Sequence, residues 1–314
     1  VSIVRRALTE ATIFVAFLVL AIALAATTPS FATATNGLSI LLATSLIAVV
    51  AVGETFVVVT GGIDLSIGSV VALTGILTGI ALHAGCPVPL AVVLAMVLGG
   101  AVGTFNGVAV AYLGMNSFIV TLAMLAMARG LAFIVAGGNT IFGFPEAFDS
   151  IGGGNIGPVP IAALISLSIA AIGAFVLART VFGSNIYAVG GNREAARLAG
   201  IPVGRTLLTA YIVSGALAGV GGVILTGRLD SAQPVAATGL ELNAIAAVVI
   251  GGASLFGGKG NIVGTLLGVF IIGVINNGLT LKNVQPFWVQ FIQGAVIFMA
   301  ALADSIGTRR RGTS

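Results

Sequence analysis

Long apolar runs separated by short polar interruptions make up most of this chain. They lie at about 11–26, 38–59, 65–82, 88–112, 117–136, 161–178, 207–226, 240–256, 261–281 and 287–304. A helix needs roughly 17–25 apolar residues to cross a bilayer, and a helix satisfies its own backbone there. The pattern therefore predicts an all-α integral membrane protein. It has about ten transmembrane helices in a single transmembrane domain over residues 1–314. The 240–281 region is open to a different division. Ala23-Leu24-Ala25 faintly resembles a signal-peptidase site, but the first run is long for a cleaved signal and reads as a retained span.

The interruptions give the orientation. An even number of spans returns both termini to one side. Arg5, Arg6, Arg179, Arg193, Arg197, Arg205, Lys259 and Arg309 to Arg311 fall on that side, and only Arg228 and Lys282 fall opposite. Basic residues collect in cytoplasmic loops, so both termini are expected in the cytosol. The cytosolic loop at about 179–206 carries four arginines and one acid, Glu194. Within it, Arg193 to Leu198 reads as a short helix, with Asn192 as its N-cap, Gly200 just past its end and Pro202 beyond. Such a helix suits a cytosolic partner. An ordinary positive-inside loop accounts for it equally well. The loop at about 137–160 is glycine-rich and lies outside.

Composition narrows the class. The chain is 58% hydrophobic and 7% charged, against roughly 25% charged in soluble domains. Its 45 glycines include ladders at Gly99, Gly103 and Gly107, and at Gly215 and Gly219, that fit close helix packing. One cysteine, Cys86, and one histidine, His83, exclude a disulfide framework and a zinc site built from this chain alone. The net charge of +4 is scattered at span ends, which argues against nucleic acid. Residues 152–157 match G-x-G-x-x-G without a preceding strand, and the text around Lys259 fails as a phosphate loop. No cofactor or metal site is expected. Gly61-Gly62…Gly68 and Gly257-Gly258…Gly264 echo each other six spans apart, so the two copies would face the same way.

The candidate chemistry lies in three stretches. Residues 53–69 put Glu54 and Asp64 inside or at the edge of the membrane, where ionisable groups are costly and usually functional. Gly61-Gly62 breaks the second span, and Asp64 or Ser66 caps the third, making a hinge or part of a pathway. Residues 116–138 hold Asn116, Thr121 and Arg129, for which Glu54 and Asp64 are candidate partners. Residues 238–261 hold Glu241 and Asn243, which line an entrance or cap a helix. So little buried charge suits a neutral polar substrate.

The segments GGIDLSIGS, NSFIVTLAMLAMARGLA, NIYAVGGNREAARLAGI and ELNAIAAVVIGGASLFGGKGN, in this order and spacing, resemble the membrane permease of bacterial ABC importers of the ribose/xylose/galactoside class. The resemblance covers nearly the whole chain and implies a type II importer permease fold in the cytoplasmic (inner) membrane, surrounded by lipid. The partners it implies are an ATP-binding subunit in the cytosol, a substrate-binding protein outside, and a second permease copy or related permease. It implies a sugar-like solute moved inward, no ATP site on this chain, and a coupling helix containing Glu194, Ala195 and Ala196. Two rivals remain. An ion-coupled secondary transporter would bind a proton or sodium at Glu54, Asp64 or Glu241. An intramembrane enzyme would need H-E-x-x-H or G-x-S-x-G, and neither is present.

Overall fold

The structure, a computed structural model, describes residues 2–285 and scattered positions between 287 and 302, with side chains from residue 11. The run expected at 287–304 lies largely outside the described residues, and Arg309 to Arg311 wholly so.

Nine of the ten expected runs are helices: α1 (Ser2–Thr27), α2 (Ala34–Val59), α3 (Ile67–His83), α4 (Val88–Ala111), α5 (Ser117–Ala136), α7 (Ile161–Arg179), α10 (Val203–Leu229), α11 (Leu240–Ile250) and α12 (Ile262–Leu281). Among the described residues, six are long and apolar enough to cross a membrane: α2, α4, α5, α7, α10 and α12. Three expected spans are not among them. α1 is apolar over Ala11–Thr27, and α3 has 17 residues, at the short end of the spanning range. α11 has 11, about 16 Å of helix against roughly 30 Å of hydrocarbon. Its early end follows from Gly252, at φ +87°, a conformation that glycine adopts freely and that a helix cannot continue through.

The core sits around α2 and α10, the most buried of the six helices long enough to cross. α10 lies against α4 with the backbones in contact. A Cβ on Gly99 would strike the carbonyl of Gly215, and one on Gly215 would strike that of Gly99. Glycine at both positions permits this approach, whose gain is dispersion between close-packed backbones, since hydrocarbon offers no hydrophobic drive between helices. α2 packs on α7, α10, α11 and α12, and buried Thr55 and Thr265 join their hydroxyls across α2 and α12 at 2.8 Å. The outward sides of α4 and α5 carry exposed Leu90, Val93, Val97, Phe118, Ile119 and Ile134, as lipid-facing helices do.

Loops gather at two ends. At one, Gly258 N–H donates to the Val59 carbonyl and Tyr112 lies against Gly204. At the other, β1 (Ile141–Phe142) pairs antiparallel with β4 (Ser231–Ala232), and His83 Nε2 lies 3.0 Å from the Phe142 carbonyl. The glycine-rich stretch 137–160 is not a plain loop. It also holds α6 (Glu146–Gly153) and a hairpin of β2 (Asn155–Ile156) with β3 (Val159–Pro160). Phe148 anchors α6 by full burial.

Candidate functional site

The first part of the site grows from the break after α2. Gly61 takes φ +78°, the chain reverses, and Asp64 folds back under Glu54, which lies five residues before the end of α2. Oε1 of Glu54 accepts the Asp64 backbone N–H at 3.1 Å. Asp64 Oδ1 accepts the Ser66 N–H at 3.0 Å and the Ser66 hydroxyl at 2.6 Å. Its Oδ2 accepts the Ser214 hydroxyl of α10 at 3.1 Å. Asn106 of α4 donates to Ser66 Oγ at 3.0 Å. Thr121 of α5 and Tyr211 of α10 both donate to the Ile63 carbonyl, at 3.2 and 3.4 Å. Glu54, Asp64, Ser66, Asn106, Thr121, Tyr211 and Ser214 are all buried.

Four helices therefore converge on one reversed segment through polar side chains. Asp64 accepts three hydrogen bonds, one from the backbone and two from hydroxyls. Ser66 stands at the N-cap position of α3 without capping it by side chain. Asp64 does that work two residues earlier by accepting the Ser66 N–H. Gly62 is required here, since a Cβ would come within 2.6 Å of the Tyr211 hydroxyl. The sequence pointed to Glu54, Gly61, Gly62, Asp64, Ser66 and Thr121, and the structure brings them together. Asn106, Tyr211 and Ser214 belong with them and were missed. An amide inside the apolar run 88–112 was the one available signal.

The other sequence candidates lie elsewhere. Asn116 is exposed and caps α5, accepting the Phe118 N–H at 2.9 Å. Arg129 does not pair with Glu54 or Asp64. Its guanidinium donates to the carbonyls of Pro234 and Ala236, at 2.5 and 2.7 Å, backbone acceptors that no sequence pattern marks. Glu241 accepts the Gly239 N–H at 3.3 Å in the first turn of its own helix. Asn243, half-buried beside it, bonds through its backbone to Gly239.

The second part is an arm. α8 (Val181–Gly191) leads through Asn192 alone into α9 (Arg193–Leu198). Asn192 caps α9 by accepting the Ala195 N–H at 2.9 Å, and Gly200 takes the left-handed turn after it, at φ +80°. Glu194 and Arg197 pair at 2.6 Å on the exposed surface, and the hydrogen-bonded guanidinium holds the Glu194 carboxyl below the usual range. Arg193, Glu194, Ala195, Arg197 and Leu198 are exposed, Leu198 at 78%. Ala196 differs, being buried against Val189 and Leu207. It seats α9 on its own chain, so it offers no surface to a partner, contrary to the sequence expectation.

Residues 36–301 match the family described as branched-chain amino acid transport system / permease component. The chain belongs to this permease family. It is 39% identical to a ribose import permease of Haemophilus influenzae, over 98% of this chain and 97% of that protein. It is 42% identical to a ribose import permease of Escherichia coli K12, over 93% and 92%. It is 40% identical to an L-arabinose ABC transporter permease of Azospirillum brasilense, over 95% and 88%. No solved structure matches the chain significantly.

Proposed function

We propose that this chain is the membrane permease of an ATP-binding cassette importer that moves a monosaccharide or sugar-like solute into the cell. Hydrolysis takes place on a separate ATP-binding subunit, and this permease performs no covalent chemistry. A substrate-binding protein delivers the solute from outside, and a second permease completes the pathway. The chain sits in the bacterial inner membrane with both termini in the cytosol. The near-full-length likeness to permeases named for ribose and arabinose carries this reading. It also disfavours an ion-coupled transporter.

In this reading α9 is the coupling helix. Its exposure, its caps at both ends and the apolar Leu198 held in the open support a docking role. Glu194 in the first turn places its negative charge where the helix dipole favours it. The polar nest at 54–66 is the hinge of the pathway, and alternating access proceeds by rocking of packed helices about such points.

The test is Ala195→Trp, at an exposed position where a bulky side chain leaves the permease core intact. Co-purification of the ATP-binding subunit should fall, and uptake of labelled ribose, arabinose and allose into vesicles should fall with it. If association and uptake both match the parent, α9 is only a positive-inside anchor. Uptake that persists under an uncoupler with ATP maintained separates the importer from the ion-coupled rival.

A further inference from the structure

We infer that Tyr187 and Gly190 of α8 are positioning residues that pass movement of the α9 arm into two broken helices at once. This rests on the coupling role proposed for α9. The two breaks are residues 60–66 after α2 and 251–261 between α11 and α12. They are far apart in sequence, yet they join through the bond from Gly258 N–H to the Val59 carbonyl, at 2.8 Å. Gly190 sits on that bond. A Cβ there would strike the Val59 carbonyl oxygen and come within 2.5 Å of the Gly258 nitrogen. From the other side, a Cβ on Gly257 would come within 2.7 Å of the Gly190 carbonyl and 2.8 Å of the Gly61 nitrogen. Three backbone segments thus touch with no side chain between them.

Tyr187 makes the second contact. It lies three residues before Gly190, on the same face of α8, and its hydroxyl donates to the Gly260 carbonyl at 2.7 Å. The rest of α8 is held firmly. Ile186 and Val189 are buried, and Phe182 stacks on Phe56 of α2 at 6.1 Å. A single residue separates α8 from α9, so a push on α9 arrives at Gly190 without a flexible linker. Close-packed backbone transmits displacement because it has no rotamers to absorb it. The receiving segments have glycines at positive φ, Gly61, Gly257, Gly258 and Gly260. Those residues take up a change of angle while the flanking helices stay whole. The first break leads within three residues to Asp64, so the arm and the polar nest meet at one joint.

Simple packing is the competing account, and neighbouring residues separate the two. A Cβ on Gly191 would meet nothing within 4 Å, so Gly191→Ala is the matched control. Alanine is favoured over glycine in a helix by roughly 1 kcal/mol, so any loss in Gly190→Ala comes from the contact. Tyr187→Phe keeps the ring and removes only the hydroxyl, which guards against failure to fold. Each variant is co-expressed with its ATP-binding subunit, and association, melting midpoint, ATP turnover and sugar uptake per ATP are measured. Tyr187→Phe and Gly190→Ala should stay associated yet lose roughly threefold or more in uptake per ATP, a change within the range for mutations along a coupling path. Gly191→Ala should match the parent. Unchanged uptake per ATP in both Tyr187→Phe and Gly190→Ala would overturn the inference, whether or not the melting midpoint falls. If Ala195→Trp sheds the ATP-binding subunit while Tyr187→Phe and Gly190→Ala both stay fully coupled, only this inference falls. If Ala195→Trp changes nothing, the coupling role of α9 falls first.

Discussion

Asp64→Ala should be among the costliest single changes in this chain, and its size can be worked from the nest. The substitution strands the buried Ser66 N–H and the Ser66 and Ser214 hydroxyls, which donate to Asp64 at 3.0, 2.6 and 3.1 Å. A buried donor without a partner costs about 1–3 kcal/mol. The Ser214 hydroxyl has other rotamers within its helix, so the two Ser66 donors set the sum, about 2–6 kcal/mol. Removing a buried carboxylate also removes its desolvation cost, which pulls the net figure toward the lower end. Asp64→Asn tests that balance. It keeps Oδ1 as an acceptor for Ser66, and its new amide donates where Oδ2 accepted, since the Ser214 hydroxyl can reverse. A cost of about 1 kcal/mol is expected. Ser214→Ala removes one bond and should cost a similar amount.

The assay is the melting midpoint of the detergent-solubilised permease, read beside uptake in vesicles at equal membrane content. The expected order of stability is parent, then Asp64→Asn and Ser214→Ala together, then Asp64→Ala well below, with uptake abolished or strongly reduced in the last. A midpoint and uptake for Asp64→Ala equal to the parent's would refute the reasoning, because the hydrogen bonds would then carry no net weight.

Asn116→Ala removes an exposed cap and should cost about 1 kcal/mol of stability; uptake that stays near the parent's would confirm that this residue only starts α5. Asp149, beside Asp230 and Glu146, has its carboxyl pushed up, first by burial and then by those acids. A raised folded pKa means that the folded state holds the proton more tightly, so stability falls as pH rises through that pKa. Asp149→Asn should therefore melt higher than the parent at pH 7 and show a flatter pH profile, and a midpoint at or below the parent's at pH 7 would count against this. In a Cys86→Ser background, cysteines at Gly153 and at Ala195, both exposed, should label from opposite faces of intact vesicles; labelling from one face sinks the span alternation.

Much of this architecture was legible because local signals and hydropathy agreed. The run 117–136 became α5, Ser117–Ala136, with the polar cap Asn116 before it and Gly137 at φ +60° after it. The run 240–256 was misjudged because its apolar composition continues through the glycines that end α11. α6 escaped notice because eight residues, five of them polar or glycine, leave little hydropathy signal. Arg129 was assigned to acids because a sequence displays charged side chains and hides carbonyls. Ala196 looked like a landing place for a partner because a six-residue helix gives too few turns to show which face is buried.

The echo between Gly61-Gly62 and Gly257-Gly258 has a physical basis in the backbone. A helix that ends in a buried turn leaves carbonyls at its C-terminus and N–H groups at the next N-terminus without partners, and each costs about 1–3 kcal/mol if left unbonded. Two breaks at the same level answer one another. The last carbonyl of α2, at Val59, takes the Gly258 N–H, and within the first break Gly62 N–H returns to the Val57 carbonyl at 3.1 Å. The orphan N–H at the start of α3 goes to Asp64, and the one in the first turn of α12, at Gly264, goes to Asn261 at 2.8 Å. Each break thus carries a glycine pair for the reversal and a short polar side chain for the restart. Only the first has a carboxylate in that role, with a second carboxylate, Glu54, beneath it. Asymmetry of this kind inside a repeated device separates packing from function, because satisfying the backbone requires only the amide that Asn261 supplies. If Asp64 served only to restart α3, Asp64→Asn would transport like the parent. A loss of uptake in Asp64→Asn at near-parent stability would assign the charge itself to transport.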